Sequence, residues 1–362
     1  MSRSALARLD LNALRHNLRR VKHYAPHSSV LAVIKANGYG HGMITVAKTL
    51  EAAGADGFGV ASIKEAIALR AAGITNTIVL LEGCFDSDEL ALVEQYRLEM
   101  VVHQARQLEW LEQYCAQRPI RVWLKIDTGM HRLGVPPDAV RDVYARLRRC
   151  AAVADDICLM THLANADVPE HPQNQRQLSQ FAESCAGLAG SRSIANSAAL
   201  IALEHSRGDW VRPGIMLYGV SPFDRGSGAD LDLKPVMTLC SELFAMRHCK
   251  QGEAVGYGGT YVCPEDMPIG IVSIGYGDGY PRHAPTGTPV LINGARVPLV
   301  GRVSMDMICV DLRSAPQARL GDSVVLWGAG LPVEEIAQAA GTIAYELLCG
   351  VTSRVDFAYR ED

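Results

Sequence analysis

The apolar run "VLAVIK" (residues 30–35) ends on a lysine, Lys35, and passes straight into "ANGYGHG". An amine held at the end of a buried strand is desolvated by its surroundings. Desolvation disfavours the ammonium, and a neutral amine is a nucleophile able to form a Schiff base. An isolated lysine would more often be a surface residue with a buried stem, so the reading depends on its company. Other polar groups close similar apolar runs. "IRVWLKID" (120–127) ends on Lys125 and Asp127, with "TGMHRLG" and its Arg132 behind it. "DICLMTHLA" carries His162, "RSIANS" ends on Asn196 and Ser197, and "WVRPGIMLYG" holds Arg212, Gly214 and Ile215.

These groups need a scaffold that points strand ends one way. Eight short runs rich in Val, Ile and Leu alternate with amphipathic stretches such as "SIKEAIALRAAG" and "PPDAVRDVYARLRRC". The runs are nearly continuously apolar, as expected of strands covered on both faces. Eight βα units in about 200 residues point to an α/β fold, a (β/α)8 TIM-like barrel with its active site at the C-terminal strand ends. An open doubly wound sheet is disfavoured, because no GxGxxG follows the first run. Near residue 230 the pattern changes to strands and turns, "VLINGARVPLV" marking a hairpin at Asn293-Gly294. The expected organisation is a barrel over 11–230 and a mainly antiparallel β domain over 231–362 with one short helix, "PVEEIAQAAG". The strand-like start of the chain, within residues 1–10, is expected to join the second domain.

The bulk numbers narrow the function. Of 362 residues, 48% are hydrophobic and 20% charged, as in ordinary globular proteins. A net charge of −4 offers no global field for nucleic acid or anionic lipid. The ten cysteines form no CxxC pair and no zinc-type cluster, so a metal site is not expected and the thiols fit a reducing compartment. Neither a signal peptide nor a run of about 18 apolar residues is present, so a cytoplasmic protein is expected.

The loops after the seventh and eighth strands commonly hold phosphate in barrels. Here they contain "ANSAA" and "RPGI", where Gly214 and Ile215 can offer backbone N–H groups to an anion. A Schiff-base lysine and a phosphate cradle at one barrel mouth suggest pyridoxal 5'-phosphate. The motifs "AVIKANGYGHG", "LKIDTGMHRLG", "ANSAA", "VRPGIMLYG", "VGYGGTY" and "GRVSMDM" then occur in an order and spacing that resemble the bacterial alanine racemases from end to end.

That resemblance implies a set of roles. Lys35 would carry the cofactor. Tyr39, Ser197, Gly214 and Ile215 would hold its phosphate, Asn196 and His162 would lie beside it, and Arg212 would face the pyridine nitrogen. An arginine only donates, so it leaves that nitrogen largely unprotonated, which favours racemisation over transamination. Racemisation needs an acid and a base on opposite faces of the α-carbon. Lys35 would serve one and Tyr257, from "VGYGGTY", the other. A phenol is a weak base near neutral pH, and His162 and Arg212 would assist it through hydrogen bonds. Arg132 and the Met305 backbone N–H would hold the substrate carboxylate, while Tyr276 would narrow the entrance and Asp306 would line the site near Met305. Lys125 would orient Arg132 as an N-carbamylated lysine, or else stay unmodified and pair with Asp127 or another carboxylate. Many relatives have a tyrosine near the C-terminus where this chain has Ser353, and no role is carried over to it.

The implied function is racemisation of alanine, supplying D-alanine for peptidoglycan, by a homodimer whose sites are shared between subunits. A racemase of different or broader specificity, such as for serine, could share every quoted motif. Basic amino-acid decarboxylases share the architecture but place a carboxylate at the ring nitrogen. A non-enzymatic cofactor-binding module would resemble the barrel alone.

Overall fold

The computed structural model describes residues 4–361. Eight parallel strands close a barrel: Ser29–Val33, Gly57–Val60, Thr77–Leu80, Glu99–Val102, Val122–Lys125, Cys158–Met160, Arg192–Ser193 and Trp210–Val211. The last pairs with the first, Ser29 opposite Trp210. Leu31, Val79, Val101, Trp123, Cys158 and Met160 fill the barrel interior, each at most 2% exposed. Burial of such branched and aromatic side chains contributes on the order of 2 kcal/mol each. The strands are shorter than the apolar runs that announce them, because the run ends leave the ladder to form the loops of the mouth.

The outer helices are set by local signals. Ser62 caps Ile63–Ala71 in a reciprocal capping box with Glu65. Val140–Arg149 starts after a turn at Pro137–Ala139 and buries Val140, Val143 and Leu147 on one face. At the N-terminal end of the barrel the charges pair off. Glu99 accepts from the Trp123 indole N–H at 2.6 Å and from Arg121 at 3.3 Å, and Arg121 also reaches Asp156 at 2.5 Å.

The second compact unit contains residues 4–14, Tyr218–Ser221 and residues 226–361, while Arg15–Leu217 and Pro222–Arg225 make the barrel unit. Its centre is the 13-residue strand Met237–Cys249, which pairs antiparallel with Leu6–Asp10, Met267–Val272 and Ser323–Trp327. Leu6–Asp10 also pairs with Asp356–Arg360, a parallel contact in an otherwise antiparallel sheet. The hairpin forms as its dipeptide requires, with φ of 49° at Asn293 and 80° at Gly294 between Pro289–Ile292 and Ala295–Val300. Where one helix is expected, there are two, Val333–Ala340 and Ala344–Cys349. Gly341, at φ 68°, ends the first, and the second is too short to show a helical period in the sequence. Among the described residues, no helix is long and apolar enough to cross a membrane.

Candidate active site

Lys35 opens a turn of unusual hand. Ala36, Asn37, Gly38, Tyr39 and Gly40 all have positive φ, between 51° and 78°. Non-glycine residues pay about 1–2 kcal/mol each for this conformation, so surrounding bonds must fix it. The Glu65 carboxylate accepts from the Ala36 N–H at 2.8 Å. The Asn37 side-chain oxygen accepts from the Met43 N–H at 3.0 Å, tying the turn to helix Met43–Ala52. His41 is fully buried beneath it, its Nδ1 2.8 Å from the Tyr39 carbonyl, and burial pushes its pKa down to about 4.

The turn delivers Tyr39 to the loop that follows the neighbouring eighth strand. A Cβ on Gly214 would lie 2.5 Å from the Tyr39 hydroxyl, so only glycine admits that ring. Ser197 joins them, its Oγ accepting from the N–H groups of Gly214 at 2.9 Å and Met216 at 3.5 Å. The Gly214 N–H, expected to face a phosphate, is thus taken by Ser197, and the serine's own O–H is what remains to donate. Asn196 caps helix Ser197–Ala202 by accepting from the Ala199 N–H at 3.0 Å.

Arg212 is buried, and burial lowers its pKa to about 10, which leaves it charged at neutral pH. Its partners are the Ser193 hydroxyl and the Thr161 carbonyl, each at 2.6 Å, the Ile194 carbonyl at 3.2 Å, and His162 Nδ1 at 3.4 Å. These neutral acceptors leave its charge uncancelled. Since arginine only donates, His162 Nδ1 accepts and the ring proton belongs on Nε2. Burial first, then the charges of Arg212, Lys125, Arg132 and Lys35, hold His162 well below the usual histidine range, so it is neutral.

Lys125 is also buried, and its pKa is lowered to about 8 by desolvation and by Arg212, Arg132 and Lys35, against a smaller opposing effect of Asp127. Asp127 is occupied elsewhere. One of its oxygens accepts from the N–H groups of Gly129, Met130 and His131 at 3.0–3.1 Å, folding the loop that carries the exposed Arg132. Gln173 and Gln177 of helix Pro172–Ser184 brace that loop from outside, through the Gly129 carbonyl at 2.6 Å and the Thr128 hydroxyl at 3.2 Å.

Lys35 itself differs from expectation. Its side chain is 38% exposed and lies 3.9 Å from Glu82, so the desolvation expected of it falls on Lys125 instead. Glu82, two residues beyond the strand Thr77–Leu80, escapes the sequence reading although it occupies a strand end. Ser193 and Thr161, which anchor Arg212, are also missed. They look like ordinary strand residues, and only the closed barrel brings them to the guanidinium.

Tyr257, Tyr276, Met305 and Asp306 belong to the second unit. Tyr257 stands on a turn between the short strands Ala254–Val255 and Tyr261–Val262 and is 68% exposed. Met305 is 51% and Tyr276 39% exposed. Their loops are joined backbone to backbone, Tyr276 N–H to the Ser304 carbonyl at 3.0 Å and Gly277 N–H to the Met305 carbonyl at 2.9 Å.

Comparison with known proteins agrees with this layout. Family models described as the N-terminal and C-terminal domains of alanine racemase match residues 9–222 and 236–359.

The chain belongs to the alanine racemase family.

The alanine racemase of Nitrosococcus oceani is 54% identical over 96% of this chain and 97% of its own. The biosynthetic enzyme of Escherichia coli K12 is 51% identical, covering 97% and 98%. The solved structure of biosynthetic alanine racemase from Pseudomonas aeruginosa superposes with a TM-score of 0.96 at 48% identity, over 99% of each chain. The Bartonella henselae alanine racemase, solved with covalently bound pyridoxal phosphate, gives 0.91 at 30%, again over 99% of each. The molecule is therefore an amino-acid racemase, an isomerase built on a TIM barrel.

Proposed function

We propose that this racemase interconverts L- and D-alanine with pyridoxal 5'-phosphate held at the barrel mouth, and that it supplies D-alanine for peptidoglycan in the cytoplasm. The observation that carries the reading is the unbalanced charge there. Lys35, Arg132 and Arg212 all act on Lys125 and on a neutral His162, which suits a ligand bearing phosphate and carboxylate groups. The residues fit the cofactor. Lys35 would bind it covalently, Tyr39 and the Ser197 hydroxyl would donate to its phosphate beside Gly214 and Ile215, and Arg212 would face its ring nitrogen. When bound, the cofactor supplies the electron sink that acidifies the substrate Cα–H.

The protein groups then divide the work. Arg132 and the Met305 N–H orient the substrate carboxylate. Lys35 Nζ takes or returns the α-proton on one face, and the Tyr257 hydroxyl does so on the other. His162, held neutral and accepting from Arg212 through Nδ1, would donate its Nε2–H to the phenol oxygen and so stabilise the phenolate that acts as the base. A buried Lys125 of lowered pKa has the neutral amine that reacts with carbon dioxide, and the resulting carbamate would give Arg132 an anionic partner. The exposed Tyr257 supports a homodimer in which the partner subunit's barrel receives it.

The test is reconstitution with pyridoxal phosphate, borohydride reduction and peptide mapping, with chiral chromatography of products from a panel of L-amino acids. The label is expected on Lys35 and D-alanine as the leading product. A label on another lysine overturns the cofactor assignment, and serine turned over faster than alanine overturns the substrate.

A further inference from the structure

The second unit holds two carboxylates and one guanidinium in an arrangement that the roles above do not use. Asp278 is completely buried. One of its oxygens accepts from the Gly275 N–H at 3.0 Å, which closes the turn presenting Tyr276. Its other oxygen lies 3.4 Å from Arg354 Nε. The same guanidinium donates from Nη2 to Asp306 at 2.6 Å. Arg354 reaches this position across Gly277, where a Cβ would overlap its Nη1. Thr352 fixes the approach, its hydroxyl donating to the Gly277 carbonyl at 2.9 Å and its N–H to the Asp278 carbonyl at 3.2 Å.

The electrostatic consequence concerns Met305. Its amide is next in the chain to Asp306 and, on the reading above, meets the carboxylate of the substrate. A carboxylate beside that amide repels the substrate, and a second, buried one adds to the field, weakly screened because it is out of water. One arginine bridging both removes a unit of that repulsion and keeps Asp306 turned toward itself. The backbone bonds between the two loops already set their spacing, so charge is what Arg354 adds.

We propose that Arg354 is a positioning residue for substrate binding: it neutralises and orients Asp306 beside the Met305 amide, so that the racemase can accept a carboxylate there. The inference rests on the placement of Met305 and Asp306 at the substrate, and the variants are chosen to separate the two claims. Arg354→Gln keeps much of the volume and removes the charge. Steady-state kinetics in both directions are measured on the dimeric holoenzyme at low and high salt, with circular dichroism and the cofactor absorbance as checks of folding and loading.

Arg354→Gln should raise KM for alanine about five- to tenfold with kcat changed less than twofold, and the rise should shrink at high salt. Arg354→Lys should recover part of the loss. Asp306→Asn added to Arg354→Gln should bring KM back to within about twofold of wild type, which loss of a structural brace would not do. Should Arg354→Gln unfold the protein, Arg354→Lys and Asp306→Asn carry the test through the salt dependence of KM. If the double variant is no better than Arg354→Gln, the role is mechanical and the proposal fails. If Arg354→Gln leaves KM unchanged while Asp306→Asn shifts it, the proposal fails and the placement of Asp306 stands. If neither changes KM, both fall.

Discussion

The two ends of the barrel handle charge in opposite ways. At the N-terminal end Glu99 takes the Trp123 indole and Arg121, and Arg121 takes Asp156, each contact 3.3 Å or shorter. At the C-terminal end four cations share a mouth with Glu82 at 3.9 Å from one of them and with Asp127 committed to its own loop. Balanced charge closes a structure. Uncancelled like charge is tolerated in a folded protein where a ligand of the other sign is to be held. The two ends of one barrel thus differ, with paired charge at its base and like charge gathered at its mouth.

The largest effect expected at the mouth follows from Arg212. Arg212→Glu should reduce racemisation by on the order of a thousandfold or more, since on the proposed placement it would reverse the charge facing the ring nitrogen and strand His162. The share of transamination, measured as pyruvate, should rise. Normal racemisation without added pyruvate would remove Arg212 from the ring nitrogen. A second effect sharpens what the mouth needs from outside the barrel. Lys35→Ala and Tyr257→Phe subunits, each inactive, should recover about a quarter of wild-type activity when exchanged, because half the dimers are mixed and each has one intact site. No recovery, with exchange shown by a tag, rules out a Tyr257 supplied by the partner.

The base should respond the other way. Glu99→Ala leaves the fully buried Trp123 N–H without its acceptor and Arg121 with less compensation, so unfolding free energy should fall by about 2–3 kcal/mol. Activity per folded molecule should persist. An activity loss with unchanged stability would break the division between the two ends.

His41 tests the floor of the mouth by pH. Its pKa falls from 6.5 to about 4 on folding, so the unfolded chain binds more protons between those values. The stabilisation is complete above pH 6.5 and is lost as pH falls toward 4. Urea unfolding at pH 7.5 and 5 should differ by about 2 kcal/mol from this residue, and His41→Gln should flatten the slope by that amount. The smallest effect lies in the second unit. Gly294, at φ 80° with open space around its α-carbon, should cost about 1 kcal/mol on change to alanine, from backbone strain alone.

The eight barrel strands were legible because each is a closed apolar sentence in the sequence, and parallel closure puts their ends together without further information. Lys125, Arg212, His162 and Ser197 could be named from their strand ends for the same reason. What the sequence hid depends on pairs in space. Lys35 looked like the desolvated amine because it ends an apolar run, yet its side chain lies partly exposed beside Glu82, and Lys125 is the buried one. Arg212 could be named, but not its partners, which are a hydroxyl, two carbonyls and an imidazole that no motif records. Arg354 and Asp278 are 76 positions apart and meet only because the C-terminal segment returns beside the Tyr276 turn.

The left-handed run from Ala36 to Gly40 also bears on how this protein can vary. A barrel strand tolerates exchange among valine, isoleucine and leucine, since each fits the same backbone. Ala36, Asn37 and Tyr39 hold φ near 50°, where a β-branched side chain collides with its own main chain. Neighbouring changes there do not compensate, because each residue meets the penalty separately. In a saturation library, valine and isoleucine should vanish from these positions even where volume and polarity would suit them, while glycine, asparagine and aspartate survive at Ala36 and Asn37. The segment from Lys35 to Tyr39 is thus held to a narrow alphabet by backbone handedness, before any demand of catalysis is counted.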